Sequence, residues 1–417
     1  ALCDCCNGQE RATPGCGYFV DMALLKKIDY SKLLRWRSQD GGLTAPFPGP
    51  GSTAVLTHAE CSRQLQAVPS RWKSGEIWRG NDLGFIRLNP CFWPEMPGNT
   101  FTLGLSPEQH AWVRPIMDEL LGPASQNWNA QDIAADAADW LRMSQAAGKP
   151  FHVASDVKMW VQRVLHRLHL GIDLTPEEAA AFTKAQSKVL ACIVLPGFLG
   201  PVLVKAMGLL DFRREWLGKY EAALRAQPRH AGRSDEDMTI LASAMLDSLM
   251  FAGGLSTASV ISCALATVYS KNSPCPGLEL SPDIVAPLVW ETVRYYPPVV
   301  GFPFYDGPGM RQRTCLSLAS AQRDPAVWGD DCDKFVLRDL GTYYRASLGW
   351  ADHAQDASIP AYSRACPAKD LSIAMATGFL AEWAKQQGAW AISDEAAAKI
   401  AIAPTTPFIS NFQLQPV

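Results

Sequence analysis

Tyr362–Leu371 reads YSRACPAKDL, which sets a cysteine just ahead of Lys369–Gln386, a segment with helical periodicity. Backbone N–H groups at a helix start carry partial positive charge and favour a thiolate there. Arg364, two positions before Cys366, adds to that field. A thiolate so placed is a nucleophile or a metal ligand. The same loop also suits a buried, inert thiol, and taken alone it leaves both readings open.

Working upstream, Glu291-Thr-Val-Arg294 places an acid and a base three residues apart on one helix face, where they can pair. Tyr295-Tyr296-Pro297-Pro298 then stops the helix, since proline cannot continue it. Ser281–Tyr296 is therefore expected as a helix, with Pro287 weakening its first turns. Asp235–Ser270 reads as one long helix, and Asp247 is the only charge between Leu241 and Val268. A helix that is apolar on all sides is a buried one. Inside it lies Phe251-Ala-Gly-Gly-Leu-Ser-Thr257. Two helical glycines cost about 1 kcal/mol each against alanine, so something approaches the backbone closely: a flat bulky group, or a neighbouring helix. Further back, His110-Ala-Trp-Val-Arg114 puts two cationic side chains on one face, fit to clamp carboxylates or simply solvated.

Other helix starts are plain. Ser106-Pro-Glu-Gln109 is a capping box with proline at the first helical position, and Pro115 should kink the helix it opens, Ser106–Leu121. Val157–Leu170 has helical spacing, and Thr175-Pro-Glu-Glu178 starts another helix. Thr53–Leu56 reads as a short strand after the turn-rich Ala45–Ser52, and Ile400–Val417 as strands or a hairpin. The expected architecture is mainly α with small β-sheets: an irregular, cysteine-containing segment over 1–45, then a single domain over 46–417.

Composition bounds the function. Of 417 residues, 48% are hydrophobic and 19% charged, which excludes a disordered chain. With 38 Lys+Arg against 41 Asp+Glu, there is no basic field for nucleic acid. The 12 cysteines are too few for a disulfide-built scaffold. Eight are scattered and expected mostly as buried thiols. Cys3, Cys5, Cys6 and Cys16 cluster near the start in a spacing that matches no metal motif and leaves disulfides and free thiols both open. The chain begins at Ala1, compatible with a processed or trimmed product. No apolar run is long enough to span a membrane. Val189–Val204 is uncharged but broken by Pro196, Gly197, Gly200 and Pro201. It reads as short core helices or as a face that dips into a membrane surface.

E-x-x-R before a Pro-Pro stop, a glycine-paired buried helix and R-x-C at a helix start together resemble the cytochrome P-450 family, from about Leu103 to the C-terminus. The resemblance implies the cytochrome P-450 fold and haem b, with Cys366 as the axial ligand of the haem iron. It implies that Glu291 and Arg294 form a structural pair behind the haem. His110, Arg114 and Arg364 would hold its propionates, and residues 252–257 would cross its open face. Within that family the chain is most similar to the plant allene oxide synthase and hydroperoxide lyase branch. Ser363–Leu371 resembles that branch's N-K-Q-C-A-G-K-D-F. Leu348-Gly-Trp350, with Trp350 sixteen positions before Cys366, resembles its tryptophan ahead of a lengthened cysteine loop. Ala319–Pro325 and Lys334-Phe-Val336 resemble two further segments of the branch.

The implied activity is rearrangement or dehydration of a fatty acid hydroperoxide without O2 or a reductase. Monooxygenases of the family carry an acid–alcohol pair in the central helix, whereas here Leu255 stands in the acid's place, followed by Ser256 and Thr257. Met250 stands where the plant branch has asparagine, and Ala368 where glycine is usual. Arg338 lies one position from the expected third partner of Glu291 and Arg294. Residues 295–323, 29 in all, are few for the strands usual there, so a hairpin is expected to be lost or residues missing. Met250, Gly253, Gly254, Ser256 and Thr257 are the candidate catalytic-face residues, with the glycines leaving room over the ring. Phe101, Leu103, Leu255 and Phe408 are candidates for the substrate pocket. A peripheral membrane contact through 189–204 would admit a lipid, and the plant likeness implies a membrane-associated, plastid setting. Two alternatives stand beside this: a conventional monooxygenase or peroxygenase, and a degenerate family member serving as a structural subunit of a protein assembly.

Overall fold

A computed structural model describes residues 44–46, 52–78, 105–193, 199–306, 312–395, 398–402 and 408–417. The Cys3–Cys16 group, Phe101 and Leu103 lie outside them. Helices dominate. In chain order they are α1 (His58–Lys73), α2 (Pro107–Leu121), α3 (Ala130–Ala146), α4 (Val153–Leu170), α5 (Pro176–Ile193), α6 (Leu199–Ala206) and α7 (Leu209–Arg225). There follow α8 (Asp235–Ser248), α9 (Gly254–Tyr269), α10 (Pro282–Tyr295), α11 (Leu318–Ala321), α12 (Pro325–Trp328), α13 (Leu340–Ala346) and α14 (Lys369–Gln386). The ten strands, β1 to β10, are short. One sheet runs β1 (Thr44–Pro46), β2 (Ser52–Val55), β6 (Gln312–Leu316), β5 (Phe302–Asp306), β3 (Ile77–Trp78), with β2 and β6 parallel and the other pairs antiparallel. A second joins β4 (Phe151–His152), β10 (Gln413–Pro416) and β7 (Trp390–Ile392), and a third pairs β8 (Ala401–Ile402) with β9 (Phe408–Ile409).

Helix starts follow their sequence signals. Ser106 accepts from the Gln109 N–H while the Gln109 side chain takes the Ser106 N–H, the reciprocal pair of a capping box. Thr175 and Glu178 do the same ahead of α5. Ser234 caps α8, whose first turn holds Asp235, Glu236 and Asp237 against the positive end of the helix. Pro115 does not split α2, which runs through it as one helix. Between Arg294 and Asp324 the described residues hold one strand pair, β5 with β6, from Phe302–Leu316 to Asp306–Gln312. α10 ends at Tyr295, just before the prolines, and β5 begins at Phe302, within a few residues of them.

The expected central helix is interrupted once. Leu249–Gly253 form a π turn between α8 and α9. The Leu249 carbonyl there accepts the side-chain amides of Gln162 on α4 and Gln186 on α5, each at 3.3 Å. Around this helix, α4, α10 and α14 pack into the larger core. A smaller core lies beside the first sheet, built on Val55, Cys61, Leu65, Trp72, Phe304 and Leu316. The chain from Leu348 to Ala354 stitches the two together: Leu348, Ala351 and Ala354 enter the small core, and Trp350 the large one.

Candidate active site

Cys366 sits at that seam. Its N–H donates to the Trp350 carbonyl at 2.9 Å, and the neighbouring N–H groups of Arg364 and Ala365 both donate to the Ala354 carbonyl, at 2.7 and 3.1 Å. The loop is therefore pinned at three successive residues before α14 begins. Gly349 permits the approach, since a Cβ there would overlap Val293 on α10. The Cys366 thiol is solvent-accessible, whereas Cys61, Cys263, Cys315 and Cys332 are buried. Burial pushes the Cys366 pKa up to about 11, opposed by the Ala368 N–H that donates to the sulfur and by the charges of Arg114 and Lys369. A bound cation would remove that proton outright.

The expected cationic group assembles next to the loop. Arg114 Nη1 donates to the carbonyls of Ser363 and Ala365 at 3.0 and 2.6 Å, and its Nε pairs with Asp118. Its Nη2 makes no hydrogen bond among the described residues. The Arg364 guanidinium stacks on Trp72, 4.3 Å from the ring centre. His110 Nδ1 lies 3.0 Å from the Ala361 carbonyl. Here one expectation changes: burial first, then Arg364 and Arg114, lower the His110 pKa to about 2. His110 is a neutral donor and not a second cation for clamping carboxylates.

Behind α14, the expected structural pair closes fully. Arg294 meets Glu291 through two hydrogen bonds, at 2.6 and 2.8 Å, and both side chains are wholly buried. Arg294 also donates to the carbonyls of Gln322, Cys332 and Lys334. Despite its shifted position, Arg338 completes the cluster, 3.2 Å from both Glu291 oxygens. The Val336 N–H and the Tyr343 hydroxyl donate to the same carboxylate at 2.7 and 2.9 Å. The one-residue offset is absorbed because residues 329–339 are irregular and a long guanidinium reaches across.

The glycine pair has a different explanation from room over a flat ring. A Cβ on Gly254 would overlap the Gln162 amide, and one on Gly253 would lie 3.2 Å from Leu249 Cδ2 and 3.6 Å from Leu165 Cδ1. Gly254 makes room for the Gln162 amide that caps the π turn, and Gly253 lies in close packing against Leu249 and against Leu165 of α4. Thr257 Oγ1 lies 3.1 Å from Ser372 Oγ on α14 and 3.4 Å from the Gly253 carbonyl. Ser256 beside it is half-buried. Met250 and Leu255 are buried apolar groups near the turn. Phe408 lies in β9, and its side chain is outside the described residues. Asp247, the one carboxylate between Leu241 and Val268, is fully buried against Arg213 at 2.9 Å. The capping glutamines carry no sequence signal, because an isolated Gln on a helix looks like any surface Gln.

These residues fit a haem. The thiol is accessible at a helix start, and two arginines with an imidazole stand beside it. Among the described residues no cluster of three or more His, Cys, Asp or Glu could hold a metal ion.

No protein-family model and no curated protein sequence matches the chain. Solved structures do. A myxobacterial cytochrome P450, CYP267B1, in complex with myristic acid superposes with TM-score 0.71 at 15% identity, covering 94% of this chain and 97% of that one. Cytochrome P450 CYP109Q5 from Chondromyces apiculatus gives TM-score 0.65 at 17% identity over 94% and 96%. P450BioI, in complex with hexadec-9Z-enoic acid ligated acyl carrier protein, gives 0.65 at 14% over 93% and 98%. The chain has the cytochrome P450 fold.

Proposed function

We propose that this chain is a haem-thiolate enzyme that rearranges fatty acid hydroperoxides without O2 or a reductase. The haem part rests on Cys366, accessible just before α14, with its backbone N–H held by the Trp350 carbonyl. One observation carries the hydroperoxide part. Between Asp247 and Tyr269 the central helix has one ionisable side chain, the thiol of Cys263, which burial holds as a neutral group with its pKa raised to about 12. Asp247 is sealed by Arg213, and the Thr257 hydroxyl is engaged with Ser372. A site that delivers protons to oxygen needs an acid within hydrogen-bond reach, and this helix supplies none. A hydroperoxide arrives with its oxygen already reduced to that level.

When bound, haem b would supply the iron at which the O–O bond is cleaved. The chain's own residues do the rest. Cys366 donates electron density, tempered by the Ala368 N–H. Arg114 and Arg364 offset the propionates, and His110, neutral throughout the physiological range, donates one N–H. Met250 and Leu255 exclude water from an apolar substrate. Two of the similar structures hold fatty acyl ligands, which supports a long-chain substrate here. Val202 on α6 is 61% exposed and Met207 just after it 37%, supporting a peripheral membrane contact through which a lipid would enter. Among the described residues no helix is long and apolar enough to cross a membrane. The plant likeness extends the proposal to a plastid membrane.

Absorption of the reduced, carbon monoxide-exposed protein tests the haem, and a polyunsaturated fatty acid hydroperoxide added without reductant tests the reaction. Rearranged product without reductant is the expected result. Turnover only with reductase and O2 would make the chain a monooxygenase, and no haem with Cys366 intact would leave a structural subunit.

A further inference from the structure

A line of aromatic rings leads from the Cys366 loop to the surface. The Trp350 carbonyl accepts the Cys366 N–H at 2.9 Å. The Trp350 ring meets Trp290 on α10 at 5.0 Å between centroids, steeply inclined. Trp290 meets Tyr344 on α13 at 5.2 Å. Trp350 and Trp290 are buried, whereas Tyr344 is 63% exposed. Another aromatic cluster of the molecule, Trp160, Phe379, Trp383, Trp390 and Phe151, is also closely packed, but every ring in it is buried. That cluster needs only packing to explain it. The line through Trp350 differs in having the most easily oxidised residue types in every place, one end hydrogen-bonded to the metal-ligand loop, and the other in water.

Resting on the haem reading above, we infer that Trp350, Trp290 and Tyr344 form an electron relay that gives this protein a peroxidase activity toward bulky one-electron donors at its surface. The relay serves donors that cannot enter the interior. A hydroperoxide ROOH accepts two electrons and two protons, its O–O bond breaks, and ROH and water leave. The electrons come singly from two donor molecules, each reducing an oxidised Tyr344; the two protons come from solvent with no acid on the central helix to relay them, so this route is slow beside rearrangement. Lys369 Nζ lies over the Trp290 ring at 5.4 Å and makes a positive charge on that indole costly. Trp290 is thus a passing station, and the oxidising equivalent settles on Tyr344, which can release its proton to water.

The haem-loaded protein is treated with a fatty acid hydroperoxide and a nitroso spin trap, and adducts are mapped by mass spectrometry. Oxidation of ferrocytochrome c, too large for any interior site, is followed in parallel. The expected result is an adduct on Tyr344 that is lost in Tyr344→Phe and Trp290→Phe. Ferrocytochrome c oxidation should fall about tenfold or more in both. The carbon monoxide spectrum and, in Tyr344→Phe, hydroperoxide consumption without an added donor should stay unchanged. Adduct and donor oxidation persisting in a haem-loaded Tyr344→Phe protein would overturn the relay while leaving the haem reading intact. Absence of haem absorption in the parent protein would overturn both, and is seen before any variant is made.

Discussion

Two charged clusters flank the start of α14, and the molecule treats them oppositely. Around Glu291 the polar groups answer one another: two arginines, a tyrosine hydroxyl and a backbone N–H converge on one carboxylate, and the arginines' other donors find carbonyls. Around Cys366 the thiol is accessible and, among the described residues, Arg114 Nη2 makes no hydrogen bond. A buried ion cluster that is satisfied internally has nothing left to offer a ligand, and losing a member strands the rest. A cluster with open donors is built for something that arrives later. The first is architecture and the second is site, although both are made of the same residue types.

The sharpest break between them is Cys366→Ser. Thiolate-type absorption of the carbon monoxide complex should disappear entirely, while the haem-free protein should lose no more than about 1 kcal/mol in chemical unfolding. An apoprotein loss as large as that of a Glu291 variant would erase the distinction. Glu291→Gln should do the reverse, costing about 3–5 kcal/mol by leaving Arg294 buried without a counter-charge. Circular dichroism melting of the haem-free chain measures it. Gly254→Ala tests which cluster the glycine pair serves. Overpacking against Gln162 should cost roughly 1–3 kcal/mol in urea unfolding, with or without haem. A loss of haem binding at unchanged stability would return the glycine to the site.

The mildest test uses pH. His110 has its pKa lowered to about 2 from 6.5, so the unfolded chain binds a proton that the folded one refuses. The stability this represents is complete above pH 6.5 and drains as pH falls toward 2, at up to about 1.4 kcal/mol per unit. His110→Gln should flatten that slope in the haem-free protein by about one proton. Buried His166 and His169, with pKa values lowered to about 4 and 3, keep the remainder. An unchanged slope would mean that His110 is protonated in the folded protein and belongs with the arginines.

What the sequence made legible was local. The bounds of α14, the Glu291–Arg294 pair and the capping boxes follow from spacing of a few residues, and the structure has them. Burial of the helix between Leu241 and Val268 followed from its composition. What stayed illegible depends on partners far along the chain. The Leu249 carbonyl is capped by Gln162 and Gln186, and nothing in those positions announces it. The glycine pair pointed to close approach, and only the fold shows that α4 makes it. The offset of Arg338 looked like a defect because a register count ignores the reach of a guanidinium. His110 read as a cation since burial, which neutralises it, is a property of the packed molecule.

The π turn at Leu249–Gly253 has a bearing on how this chain tolerates changes in length. A π turn accommodates one residue more than the α-helix it interrupts, so deleting one residue there would restore a regular helix and leave both halves facing their old neighbours. Deletion elsewhere in the helix would swing everything downstream by about 100°, carrying Thr257 off α14 and the apolar faces off their partners. The centre of the molecule, where the packing is tightest, therefore holds a place where the gene can lose a codon and the helix keep its phase.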